Sequence, residues 1–159
     1  MLNSDLLSNI VDGTLQLQLG QQQFTSVSTD SREIEAGALF VPLIAARNGH
    51  DFLHTAIKKG AIAALWQKEQ PLPQGLPDNV QLYFVEDTLA ALQQMAQNYR
   101  QQVNPIVIAV TGSNGKTTTK DLLFSVFSLQ GETYKTQGNY NNHIGLPLTV
   151  LSMPQHADI

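Results

Sequence analysis

Cysteine is absent from this chain of 159 residues. A disulfide framework, a thiol nucleophile and a thiolate metal site are thereby excluded. Charge is scarce too: Asp, Glu, Lys and Arg make up 14% of the residues, where an average domain has about a quarter. Seventeen glutamines fill much of that gap. They are scattered and often fall on helix faces, so they read as neutral solvated surface and not as an aggregating tract. The formal net charge of −4 gives no electrostatic reason to expect nucleic acid or an anionic membrane as partner; any phosphate has to be met by local geometry. Long apolar runs are missing as well. None reaches the roughly eighteen residues of a membrane span, and the opening MLNSDLLSNIV has neither a basic leader nor a long apolar core. A soluble, cytoplasmic protein is the expectation. The hydrophobic content of 42% is that of a packed globule, and the length suits one domain or a domain with part of another.

The most informative stretch is Ile106 to Asp121, IVIAVTGSNGKTTTKD. Its first half is a continuous apolar, β-branched run, as expected of a strand buried on both faces of a parallel sheet. Its second half reads as a phosphate grip. Gly112 and Gly115 allow a tight turn that brings backbone N–H groups towards one point, and a helix starting near Lys116 adds its positive dipole end. Lys116 then supplies a mobile charge for β- and γ-phosphates, and the Thr117 hydroxyl can ligate the magnesium that travels with them. The loop is shorter than the general P-loop pattern, which places a glycine where this chain has Val110. Thr118 and Thr119 have two readings, nucleotide contact or helix first-turn residue.

Ahead of this stretch the pattern is α/β. A short helix is expected over Met1–Val11, with Leu2, Leu6, Leu7 and Ile10 on one side, then a strand over Thr14–Leu19. Phe24–Arg32, FTSVSTDSR, is a strand with a polar end. There Asp30, Ser31 and Arg32 either hold a ligand at a strand terminus or form a plain turn. Leu39–Ile44 is a buried strand, followed by the loop AARNGHD. Asp51 is the expected N-cap of a helix over Phe52–Lys59, which Gly60 stops. His50, beside Arg47 and Asn48, is a ligand contact or a hydrogen-bonded loop residue. Strands at Ala61–Trp66 and Gln81–Val85 flank a Pro-rich connection, with Trp66 read as core. Asp87 or Thr88 caps a helix whose Leu89, Leu92, Ala96, Tyr99 and Val103 share a face. Single helices between strands imply a largely parallel or mixed sheet.

Pro105 forbids continuation of that helix, so the domain boundary falls here: 1–103 as one domain, 104–159 as the start of another. A helix over Lys116–Gln130 should turn Leu122, Leu123, Val126 and Phe127 inward, with a strand at Thr133–Thr136 after it. The loop QGNYNNHIG, Gln137–Gly145, offers Asn139, Asn141 and Asn142 as uncharged donors and acceptors, or is simply a well-made turn. Pro147 fits only the first turn of a following short helix.

TGSNGKTTT resembles the ATP loop of the Mur ligases, the ATP-dependent amide-forming enzymes of peptidoglycan synthesis, and of their folylpolyglutamate synthetase relatives. GNYNNHIGLPLTVL is most similar to the family members that add D-alanyl-D-alanine to UDP-N-acetylmuramoyl-tripeptide, and STDSR, GALFVPL, NGHDF and KKGAIAAL resemble their UDP-substrate domain. Departures fall at Ile44 and Ala45, where the family more often has lysine and glycine, and at Asn48, where it often has aspartate. The resemblance implies a mixed-sheet substrate domain followed by the truncated start of a P-loop-type ATPase domain with a parallel sheet. It implies phosphoryl transfer from ATP, with magnesium, to the tripeptide carboxylate, and attack on the acyl phosphate by the D-alanyl-D-alanine amine. Thr111, Gly112, Ser113, Asn114, Gly115, Lys116, Thr117 and Thr118 would then hold ATP, with Lys116 catalytic and Thr117 on the metal. Asn139 and Asn142 would line the passage to the muramoyl peptide, and Ser31, Arg32, Asn48 and His50 would meet the nucleotide sugar. As an N-terminal fragment of such an enzyme the chain would not turn over alone, and its incomplete second domain would expose an apolar edge, staying mobile or pairing with another copy. The alternatives are a nucleotide-binding module without chemistry, another amide-forming ligase of the same kind, or an unrelated P-loop NTPase.

Overall fold

The computed structural model describes residues 2–11, 13–15, 22–138 and 140–159. It divides into two compact units, 1–95 and 96–159.

The first unit is built on a five-stranded sheet of order β2-β7-β6-β5-β4. Its strands are β2 (Gly13–Leu15), β4 (Val27–Ser28), β5 (Leu39–Phe40), β6 (Ala63–Gln67) and β7 (Gln81–Val85). β4, β5, β6 and β7 pair in parallel, and β2 closes one edge antiparallel to β7, so the sheet is mixed as expected. The central β6 and β7 are almost wholly buried, which their continuous apolar runs require. Alternate residues serve the two faces: Phe40, Ala64, Trp66 and Leu82 pack with Leu53 and Ala56 of helix α1 (Leu53–Lys59) in one core cluster. Trp66 is a core residue, as its sequence surroundings suggest. Alanine at 38, 56, 61 and 64 lets the helix approach the sheet closely. Gly60 ends α1 with a left-handed φ of 114°. Helix α2 (Thr88–Val103) follows β7, and Asp87 caps it by accepting the Ala90 N–H at 2.7 Å.

Several local expectations are corrected: the buried strand expected over Leu39–Ile44 is a strand only at Leu39–Phe40 and leaves Ile44 exposed. The helix expected over the first eleven residues is replaced by β1 (Leu2–Asn3), antiparallel to β3 (Gln23–Phe24), and a single 3-10 turn at Ser4–Leu7. So short a segment gains too few helical bonds to offset nucleation, whereas pairing satisfies its backbone and still buries Leu2, Leu6 and Leu7. Of the strand expected at Thr14–Leu19, residues 16–19 lie outside the described residues. The strand expected over Phe24–Arg32 is broken between β3 and β4, which belong to different sheets. The helix after the 44–50 loop starts earlier than Asp51: a 3-10 turn spans Gly49–Phe52, capped by Asn48, whose side chain accepts the His50 N–H.

In the second unit α2 ends where Asn104 adopts a φ of 54° and Pro105 follows. Helices α3 (Lys116–Phe127) and α4 (Gly145–Leu151) come next. Ala96, Tyr99, Leu151, Met153 and Ala157 are buried, and the Tyr99 hydroxyl donates to the Met153 carbonyl at 2.7 Å. Pro147 lies in the first turn of α4, as its ring demands. Here the sequence expectations fail most clearly. Ile106–Val110 forms no ladder and is not buried: Ile106 is 67% exposed, and Val107 and Ile108 are exposed too. Thr133–Thr136 likewise forms no strand. The Ile106 N–H reaches Asp158 O at 2.9 Å, and 132–134 exchanges single bonds with 158–159. A few such bonds fall short of the cooperative pairing that makes a strand. α3 has no buried residue; Leu122 and Val126, expected inward, are exposed, while Leu123, Phe124 and Phe127 are half-buried.

Candidate functional site

The Thr111–Thr118 loop takes the left-handed turns that its two glycines allow. Gly112 and Gly115 adopt φ of 145° and 78°, conformations that L side chains rarely take. A Cβ at Gly115 would meet nothing within 4 Å, so glycine is required there by the turn and not by crowding. Gly115 is the N-cap of α3, no side chain caps that end, and no acidic residue lies in its first turn. The first-turn N–H groups therefore point out of an uncapped, positive helix end. Lys116 folds back so that its ammonium donates to the Gly112 carbonyl. Thr111, Ser113, Asn114, Thr117 and Thr118 are all exposed around this loop.

The asparagine-rich loop lies in the same unit. Asn142 Oδ1 accepts the N–H of Gly145 at 2.6 Å and of Ile144 at 3.2 Å, so its side chain starts α4. Gly145 has no room for a side chain, because a Cβ would lie 2.8 Å from Tyr140 Cα. Asn139 lies outside the described residues. A residue that sequence reasoning passed over, Lys120, links this loop to α3 by donating to the carbonyls of Thr136 at 2.7 Å and Gly138 at 3.4 Å. Its place one turn after Lys116 was the available signal.

In the first unit, Ser31 and Arg32 follow β4 and the 44–50 loop follows β5, so adjacent parallel strands bring both to the carboxyl edge of the sheet. Arg32 is highly exposed, 83% by side chain, and makes a bidentate pair with Asp30, Nη2 to Oδ2 being 2.6 Å. That side-chain bond, with the Arg32 backbone N–H, holds the Asp30 carboxyl down at about 2. Ser31 is buried at the base of the turn. Asn48 and His50 are joined directly: His50 Nδ1 lies 2.8 Å from Asn48 Oδ1, while Nε2 accepts the Gln67 N–H at 3.2 Å. This assigns the proton to Nδ1. Asn48 Nδ2 in turn donates to Gln70 Oε1 at 2.7 Å, and the His50 ring stands edge-on to Trp66 at 4.7 Å. Both ring nitrogens are thus engaged within the chain, and His50 braces the loop against the end of β6.

Burial pushes the His50 pKa down to about 4 from 6.5. The unfolded chain therefore binds this proton first. The stability that neutral His50 supports is complete above about pH 6.5 and is lost as the pH falls towards 4. Urea unfolding should show a loss on the order of 2 kcal/mol between pH 7 and 4.5 in the wild type, and a clearly flatter profile in His50→Gln. Equal slopes would refute the assignment.

Two family models match the chain: "Mur ligase family, catalytic domain" over residues 23–100 and "Mur ligase middle domain" over 110–159. The chain belongs to the Mur ligase family. Within the Mur ligases, a UDP-N-acetylmuramoyl-tripeptide--D-alanyl-D-alanine ligase of Bacillus subtilis is 47% identical over 155 residues, which is 96% of this chain and 33% of that protein. The Escherichia coli protein of that name is 39% identical over 96% of this chain and 32% of its own length. A crystal structure of MurF from Acinetobacter baumannii superposes with a TM-score of 0.85 at 32% identity, covering 99% of this chain and 34% of that one. A MurF ligase from Thermotoga maritima in complex with ADP superposes with a TM-score of 0.66 at 31% identity, over 79% of this chain and 28% of that one. The chain thus spans about a third of the length of the relatives it matches. Among the described residues no helix is long and apolar enough to cross a membrane, and no group of three His, Asp or Glu side chains could hold a metal ion.

Proposed function

We propose that this chain supplies the nucleotide-sugar-binding part and the phosphate grip of a cytoplasmic, ATP-dependent ligase that joins D-alanyl-D-alanine to UDP-N-acetylmuramoyl-tripeptide. The division we favour is 1–103 for the muramoyl nucleotide and 104–159 for the start of the ATP-binding domain. The observation that carries this reading is the uncapped start of α3 behind Gly112 and Gly115, with Lys116 at its first position. It lies in a segment that matches the Mur ligase middle domain.

The residues fit polyphosphate and its metal. No side chain crowds Gly115, no acidic residue lies in the first turn of α3, and Thr117 is exposed there. Thr111 to Thr118 would cradle the phosphates, Lys116 would leave the Gly112 carbonyl to neutralise the transferring group, and Thr117 would hold magnesium. Magnesium, when bound, supplies charge neutralisation and orientation of the phosphates. Asn142, with Asn139, would border the path to the muramoyl peptide, and the fold fixes Asn142 by using it to start α4. Ser31, Arg32, Asn48 and His50 would shape the nucleotide-sugar end; Arg32 is the exposed cation among them, while His50 and Asn48 hold the loop. Amide formation is not expected of these residues alone, because the relatives are about three times as long.

Calorimetric titration of the chain with a non-hydrolysable ATP analogue and magnesium tests the reading. Saturable one-to-one binding that weakens when magnesium is chelated is expected. Absence of saturable heat at millimolar nucleotide would sink it.

A further inference from the structure

We propose that Lys120 is a positioning residue of the nucleotide site, holding the asparagine-rich loop in register with the phosphate loop. The proposal rests on the reading of Thr111–Thr118 as that site.

Lys116 and Lys120 stand four residues apart and so share one face of α3. Lys116 serves the loop before the helix, whereas Lys120 serves the one that follows it in the chain. The Lys120 side chain is only 21% exposed, and a charge so placed has to be matched by hydrogen bonds. The carbonyls of Thr136 and Gly138, at 2.7 and 3.4 Å, do so from the backbone that enters the loop; Asp121 Oδ1 is 4.0 Å away. Gly138 has a φ of 49°, so the chain turns at the point where the ammonium holds it. The fixing is needed because Thr133–Thr136 makes no ladder that would set the loop's position.

A second tie runs alongside it. Lys135 donates to Asp121 Oδ1 at 2.8 Å and lies over the Phe124 ring at 4.4 Å. The two ties join the same elements in opposite senses, one lysine from the helix and one from the Thr133–Thr136 segment. Only Lys120 grips backbone of the loop itself. Lys135 therefore provides an internal control: its loss loosens the segment from α3 without releasing Gly138.

The test compares the wild-type chain with Lys120→Met, Lys120→Arg and Lys135→Met. Affinity for magnesium and a non-hydrolysable ATP analogue is measured well below the melting temperature, and amide hydrogen exchange is followed over residues 137–146. Lys120→Met is expected to weaken binding on the order of ten- to a hundredfold and to speed exchange in the loop. Lys120→Arg should recover most of both, since its fork can also serve two carbonyls. Lys135→Met should lower stability and leave the affinity close to wild type. Wild-type affinity in Lys120→Met, or equal weakening by Lys120→Met and Lys135→Met, overturns the assignment of Lys120 and leaves the nucleotide site standing. No binding by the wild type overturns the nucleotide reading and this proposal with it.

Discussion

Gly49→Ala should lower the stability of the first unit by about 3 kcal/mol or more, a large share of the roughly 5–15 kcal/mol that holds a typical domain together. The new methyl carbon would lie 2.6 Å from both the backbone nitrogen and the carbonyl oxygen of Leu43, and 3.0 Å from Pro42 Cα. These are backbone atoms leaving β5, so no rotamer change relieves the clash. The Gly49 N–H also donates to Leu43 O at 2.9 Å, and the displacement that makes room for the methyl breaks this bond. Asn48 and His50, on either side, would move with it. Gly75→Ala is the matched comparison: nothing lies within 4 Å of its Cβ, and only its φ of 66° opposes the change, for about 1 kcal/mol. Urea denaturation of both variants checks the contrast. A Gly49→Ala protein no less stable than Gly75→Ala would show that the 43–49 turn is not as close as described.

Lys116→Ala should reduce affinity for a magnesium-bound ATP analogue by about a hundredfold or more, since it removes the full positive charge at the first position of α3, where charge-assisted bonds to phosphate are the strong ones. The melting temperature should scarcely move. Among the described residues Lys116 bonds locally, to the Gly112 carbonyl of its own loop, and substitutions away from the core usually change stability by no more than about 0.5 kcal/mol. Lys116→Arg should keep part of the binding, because the charge remains while the planar fork fits the narrow turn less well. Calorimetry on the three proteins, with thermal melts as control, separates binding from folding. An affinity unchanged in Lys116→Ala would show that the ammonium faces the carbonyl and not a ligand.

Where elements are locally complete, the sequence and the structure agree closely. Gln81–Val85 is a strand with the bounds its apolar run suggests, because both its faces are covered and both its edges are paired. Asp87 starts α2, Gly60 stops α1 and Pro105 follows the end of α2 for reasons carried by those residue types themselves. The turn before α3 belongs to the same class: it depends on two glycines, and its charge on one lysine. Ile106–Val110 shows the opposite case. Its β-branched residues favour extension, yet a strand needs partners, and these come from elsewhere in the chain. Asn48 is another. Nothing in its immediate neighbourhood reveals that Gln70 will meet it, for that contact forms only when β5 and β6 lie side by side.

By itself, the sequence determined the strands of the first sheet's centre, the Asp87 and Gly60 helix boundaries, the glycine turns at 112 and 115 and the family resemblance, since each is written in neighbouring residues and in their backbone preferences. Tertiary structure alone decided that His50 is a buried, neutral brace and that Lys120 ties the backbone entering the asparagine-rich loop to α3. Those roles depend on which polar groups are brought close once distant segments pack and water is excluded, and spacing along the chain does not encode that distance.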